Sequence, residues 1–238
     1  MDYFYSPPEH ITNDAVTIDG EEFSHMTHVM RKKEGDQIRV VNGMGTAFDV
    51  VLERINQKAA HGKILRTYEH YHEPQVNITL GVGVLKNPSK FDFLVEKVTE
   101  LGVKEIIPLT TERTIPSHAK VDRWQKLALA AMKQSGRSYL PVVRELMTLD
   151  EVLTQRDLFD LKLIAHEEEQ PDSIRSLPVG KPSGSVLMLV GPEGGFTLEE
   201  VLTCRKSGFQ TVYLGDRRLR TETAAVVMVA LSILSQLS

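Results

Sequence analysis

Cysteine is nearly missing from this chain: Cys204 is the only one in 238 residues. A single thiol excludes an intrachain disulfide framework and a thiolate-rich metal site, and a buried thiol in a reducing compartment is the expectation. Long apolar runs are missing too. None reaches the roughly 18 residues a membrane helix needs. The first ten residues, MDYFYSPPEH, carry neither the basic nor the apolar block of a secretory signal. There is no excess of positive charge either. The net charge is −4, so any contact with nucleic acid has to use a local basic patch. A P-loop signature occurs nowhere, and "GVGVLK" (81–86) fails as a dinucleotide loop because Lys86 stands where the third glycine is required. Internal repeats and low-complexity tracts are absent. What remains is a cytoplasmic globular protein of ordinary composition, 41% hydrophobic and 25% charged, long enough for one large or two small domains.

Two patterns divide it. Residues 38–41 (IRVV), 47–52 (AFDVVL) and 62–68 (GKILRTY) are short β-type runs separated by turn signals such as NGMG, with one helical stretch, 21–30, before them. This predicts a small β-barrel or sandwich over residues 1–72. "HYHEP" (70–74) marks the boundary. From Val76 onward strands and helices alternate: strands over 76–85, 105–109, 161–165, 185–190 and 211–214, helices over 90–103 and 120–135. That alternation predicts an α/β domain over 73–238, its parallel sheet buried on both faces.

Two loops carry the chemistry. In "LMLVGPEGGFTLEE" (187–200) a buried strand runs into glycines at 191, 194 and 195, and Thr197 with Glu200 has capping-box spacing. Glu193 in that loop would repel a polyphosphate but favours a neutral or cationic ligand. S-adenosylmethionine, a sulfonium cation without phosphate, meets that condition. In "LGDRRLRTETAAVVMVAL" (214–231) a strand leads to Gly215, then to Arg217, Arg218 and Arg220, then to Thr221 as N-cap of an apolar helix. Both loops fall at the carboxyl ends of parallel strands, where open α/β sheets bind ligands. The glycines suit a small cofactor and the arginines an anionic second substrate.

"EKVTELGV" (96–103), "ERT" (112–114), "KQSGR" (133–137), "GPEGGF" (191–196) and "LGDRRLRTETAA" (214–225), in that order, resemble the ribosomal RNA uracil-N3 methyltransferase family of the SPOUT superfamily. "HVMRKKEGDQIRVVNGMG" (28–45) resembles that family's PUA-like barrel. The resemblance covers nearly the whole chain. It implies a parallel sheet with a deep trefoil knot, a homodimer, and methylation of a uridine ring nitrogen in 16S (small-subunit) ribosomal RNA. A PUA-like module alone reads little sequence, so the assembled small subunit is the expected substrate, with free RNA the alternative. It also implies that S-adenosylmethionine is held, largely through backbone groups, by Leu189, Val190, Gly191, Pro192, Gly194 and Gly195 of the first loop. Leu214, Gly215, Leu219 and Thr221 of the second loop, with His166, complete that site. One departure is Lys133, which stands where the family usually has glutamate.

An imide nitrogen between two carbonyls is a poor nucleophile until its proton leaves, so a base or a stabilising cation is required. Arg220 is the first candidate for the cation and Arg137 the second. Glu193 and Glu222 are candidate bases, and Glu222 also suits a helix N-terminus. Positioning of donor and acceptor without a dedicated base is the alternative. Arg31, Lys32, Lys33, Lys86, Arg113, Arg217 and Arg218 are the expected RNA contacts. His25 and His28 lack a third ligand, and no metal is required. Two other functions share these residues: a non-catalytic RNA-binding assembly factor, and an enzyme methylating a different RNA position such as a ribose hydroxyl.

Overall fold

The computed structural model describes residues 2–166 and 184–234. It contains two compact units, Met1–Glu73 with Leu129–Leu140, and Pro74–Ala128 with Pro141–Ser238.

The first unit is built from alternating apolar strands. β1 (Tyr3–Tyr5), β2 (Ala15–Asp19), β3 (Gln37–Val41), β4 (Thr46–Ile55) and β5 (Ala59–Glu69) form one sheet in the order β1-β3-β4-β5-β2. Register shifts in the β4–β5 ladder, at Asp49/Val50 and Leu52/Arg54, add twist as bulges do. The sheet curls until its edges meet: Ser6, just after β1, donates its hydroxyl to the Thr17 carbonyl in β2 at 2.7 Å. The stretch expected as one helix is α1 (Gly20–Ser24) running into a π-helical turn, His25–Val29. Its Phe23 and Met26 fill the core formed by Phe4, Ile38, Val40 and Val50.

Residues 129–140 join this unit through two ion pairs. Lys133 Nζ lies 2.6 Å from Glu22 Oε2, and Glu22 Oε1 accepts the Tyr5 amide. Arg137 Nη2 lies 2.6 Å from Glu73 Oε2, with side chains only 3% and 1% exposed. Glu73 Oε1 also accepts the amides of Ser138 and Tyr139. A buried pair survives desolvation only when its remaining polar atoms are bonded in this way.

Among the described residues the second unit has seven strands: β6 (Asn77–Gly83), β7 (Glu105–Thr110), β8 (Val142–Val143), β9 (Met147–Thr148), β10 (Leu161–Ala165), β11 (Ser185–Val190) and β12 (Gln210–Val212). All pair in parallel, in the order β12-β10-β11-β6-β7-β8, with β9 also on β7. β6 and β11 lie at the centre and are buried along nearly their whole length, the pattern of a sheet covered on both faces. On one face Leu187 and Leu189 pack with α4 (Leu149–Thr154) and α5 (Leu198–Lys206). On the other, α6 (Thr221–Leu234) packs on β6, β11 and α2 (Pro88–Leu101).

Local chemistry sets the helix ends. Asn87 accepts the Ser89 amide and Pro88 occupies the first turn of α2. Thr197 and Glu200 form the expected capping box on α5. Thr221 departs from expectation. The Arg220 carbonyl accepts the Ala224 amide at 2.8 Å, so Arg220 is the cap position of α6 and Thr221 its first helical residue. α3 (Val121–Ser135) stacks Trp124 on Phe91 of α2 within the second unit.

Candidate active site

Three adjacent parallel strands, β10, β11 and β12, end side by side, and the segments that leave them enclose a cavity of about 250 Å³. Ala165 and His166 come from the end of β10. Val190, Gly191, Pro192, Glu193, Gly195 and Phe196 come from the loop after β11. The segment from Leu214 through Ala224 closes it, and Lys90 of α2 completes the wall.

The glycines are required by the path of the backbone. A β-carbon on Gly191 would stand 2.8 Å from the Gly195 carbonyl carbon and the Phe196 nitrogen. Gly195 turns at φ +69° and donates its amide to the Pro192 carbonyl at 2.8 Å. Gly215 sits at φ +104°, in the left-handed region that favours glycine. β12 stops at Val212, two residues before the predicted strand end. Tyr213 bonds its hydroxyl to Asp216 at 2.9 Å, and Leu214 leaves the sheet to line the cavity.

Charge is arranged by depth. Arg217, Arg218 and Arg220 are exposed at the mouth. Arg217 and Arg220 make no ion pair among the described residues. Glu222, on the first turn of α6, is buried; its Oε1 lies 3.6 Å from Lys90 Nζ. A cavity with glycine loops, apolar walls, a buried carboxylate and cations at its rim suits a neutral or cationic small ligand beside an anionic one.

Known proteins fix the family. A model described as an RNA methyltransferase domain matches residues 72–234, and one described as an RNA methyltransferase PUA domain matches 18–65. Ribosomal RNA small subunit methyltransferase E from Bacillus subtilis is 31% identical over 233 residues, covering 92% of this chain and 89% of that protein. The chain belongs to this RNA methyltransferase family. The protein of the same name from Synechocystis is 31% identical over 230 residues, covering 94% of this chain and 74% of its own length. A crystal structure of ribosomal RNA small subunit methyltransferase E from Neisseria gonorrhoeae, bound to S-adenosyl methionine, superposes with a TM-score of 0.83. It is 32% identical, with 97% of this chain and 95% of that one covered. The α/β domain is therefore of the SPOUT methyltransferase class and the curled sheet of the PUA class.

In this methyltransferase chain the fold gathers most of the predicted residues into one place. His166, Val190, Gly191, Pro192, Gly195, Leu214, Gly215, Leu219 and Thr221 line the cavity, with Arg217, Arg218, Arg220 and Glu193. The Leu189 side chain is fully buried, packed with α4 and α5 in the core, so only its backbone is left for a ligand. Gly194 stands behind the cavity, where its carbonyl accepts Arg113 Nη1 at 2.6 Å. Arg113 thus braces the glycine loop. Glu193 is exposed, and its Oε1 accepts the Lys86 amide at 2.9 Å.

Arg137 requires a correction. It belongs to the other unit and is 2% exposed, with Nε and Nη2 directed at Glu73. The guanidinium is paired with a buried carboxylate and does not line the cavity. Of the basic run, Lys32 is tied to Asp2 at 2.7 Å, while Arg31 and Lys33 are exposed. Ala165, Phe196 and Ala224 line the cavity without having been predicted. Small and apolar types carry no chemical signature; only their place beside the two loops could have marked them.

Proposed function

We propose that this protein transfers a methyl group from S-adenosylmethionine to N3 of a specific uridine in small-subunit ribosomal RNA. The observation that carries this reading is a cavity of two glycine loops with Arg217 and Arg220 unpaired at its rim among the described residues. When bound, S-adenosylmethionine supplies a methyl group on a positively charged sulfur. Backbone groups of Gly191, Leu214, Gly215 and Leu219 would hold it, with Val190, Pro192, Gly195, His166 and Thr221 around it, and Leu189 and Gly194 supporting the loop. We infer that these two loops form the superfamily's trefoil knot.

Arg220 stabilises the negative charge that spreads onto the uracil carbonyl oxygens as N3 loses its proton. Arg217 and Arg218 engage the RNA backbone, which positions the nucleotide without reading sequence. Lys86 adds a further backbone contact in the same unit, and Arg31 and Lys33 contact RNA from the first unit. Glu193, holding the Lys86 amide, keeps the segment after β6 against the glycine loop. The protein acts as a homodimer in the cytoplasm, on the assembled small subunit. Leu231 and Leu234, 42% and 57% exposed on α6, suit a subunit interface.

The test is transfer of labelled methyl from S-adenosylmethionine to small ribosomal subunits lacking the modification, followed by digestion to nucleosides. Label in 3-methyluridine is the expected result. Label in a ribose-methylated nucleoside, or none with donor binding absent, would remove the proposal.

A further inference from the structure

Glu222 carries a feature that the family match does not explain. Its residue is 8% exposed, it lines the cavity, and Oε2 has no hydrogen-bond partner among the described residues. Oε1 faces Lys90 Nζ at 3.6 Å. A buried carboxylate oxygen without a donor is costly, on the order of 1–3 kcal/mol or more. Such an atom calls for a donor that the chain does not itself supply, whether a ligand, an ion or an ordered water. Lys90 and the positive end of α6 place compensating charge beside it.

We propose that Glu222 is the base of the reaction: its Oε2 receives the N3 hydrogen of the target uracil while Lys90 holds Oε1. The assignment rests on the uridine-methylation reading above. The edge of uracil presents a carbonyl, an N–H and a second carbonyl in a row. Arg220, Glu222 and Lys90 line one cavity and offer a cation, an acceptor and a second cation. Cytosine would turn an N3 lone pair toward the carboxylate, so the same residue rejects it. Glu193 is less suited, being exposed and already accepting the Lys86 amide.

The step balances. The N3–H proton passes to Glu222 Oε2, leaving its bonding pair on N3 with the charge shared by the two carbonyl oxygens. That pair forms the N–CH3 bond as the methyl–sulfur bond breaks, and the sulfur keeps the electrons as a neutral thioether. The protonated carboxyl then releases its proton to water.

Full-length wild type, Glu222→Gln and Glu222→Ala are compared for S-adenosylmethionine affinity by calorimetry and for single-turnover transfer to unmodified small subunits. Glu222→Gln keeps the volume of the side chain, and donor binding reports that the site is folded. The expected result is a transfer rate lower by about 10²- to 10⁴-fold in both variants, with donor affinity unchanged. Wild-type transfer by Glu222→Gln would overturn the assignment while leaving uridine methylation intact. A loss of donor affinity in step with rate would instead place the carboxylate on the donor and overturn it. A wild-type protein that binds donor but yields no 3-methyluridine would remove both readings.

Discussion

Gly83 of β6 lies against Pro192 of the loop after β11, so closely that a β-carbon at 83 would stand 2.4 Å from the Pro192 nitrogen. Central strand and ligand loop therefore meet backbone to backbone, and the loop's position is set by the sheet beneath it. The glycines of "GVGVLK" exist for this contact and for Gly81, whose β-carbon would meet Leu189. They have no part in a dinucleotide turn.

Gly83→Ala is predicted to destabilise the protein by about 1–3 kcal/mol, the usual cost of overpacking, and to weaken S-adenosylmethionine binding because the Pro192 segment must move. Denaturant unfolding and calorimetry check it. Unchanged values in both would mean that β6 and the loop are less tightly engaged than the distance says.

Lys133 is explained by its partner. With Glu22 Oε2 at 2.6 Å and side chains 26% and 15% exposed, the pair lies between surface and core. Lys133→Glu would set two carboxylates face to face and cost roughly 1–3 kcal/mol. The exchange Glu22→Lys with Lys133→Glu should recover much of that loss. A double variant no better than the single one would show that the pair does not act as a unit.

Cys204 sits at the back of α5, fully buried. Burial, with smaller contributions from the charges of Glu200 and Asp150, pushes its thiol up to about 12 from the ordinary 9.0. From about pH 9 upward the unfolded chain loses this proton and the folded chain keeps it. The unfolded state then binds fewer protons, so stability falls as pH rises between about 9 and about 12, by at most ~1.4 kcal/mol per pH unit from this group. Urea titrations over that range should show a shallower fall for Cys204→Ala, and the native thiol should resist alkylation at pH 8.

Some of this was readable in the chain and some was not. Strands β10 and β11 and the capping box at Thr197 and Glu200 follow from apolar runs and short-range hydrogen bonding, which a linear sequence carries. The loops at Gly191 and Gly215 were legible because glycine and arginine types in that order have few other uses. Arg137 was not. Its partner Glu73 is 64 residues away in sequence, and nothing local says that a guanidinium will be buried against a distant carboxylate. The same holds for residues 129–140, which continue a helix of one unit yet belong to the other. For Glu222 the residue type was visible, but the unpartnered Oε2 that singles it out exists only once α2 and α6 pack together.

The arginines at the mouth should separate by role. Arg220 caps α6 with its carbonyl, two residues from the buried Glu222, and its side chain is exposed to the cavity. If it stabilises charge on the uracil carbonyls, Arg220→Ala lowers kcat by about 10²- to 10³-fold, the loss seen when a transition-state donor is removed. RNA affinity should fall far less. Arg217 lies three residues earlier, exposed at the cavity mouth, and the proposal gives it a phosphate contact and no contact with the base. Arg217→Ala should therefore leave the single-turnover rate at saturating RNA unchanged. It should weaken RNA binding and make log affinity less steep against log salt by about 0.7 to 0.9 for the one lost phosphate contact. Rates measured at saturation, and affinities across a salt series, distinguish the two. If Arg217→Ala lost rate and Arg220→Ala lost only affinity, the two roles would have to be exchanged.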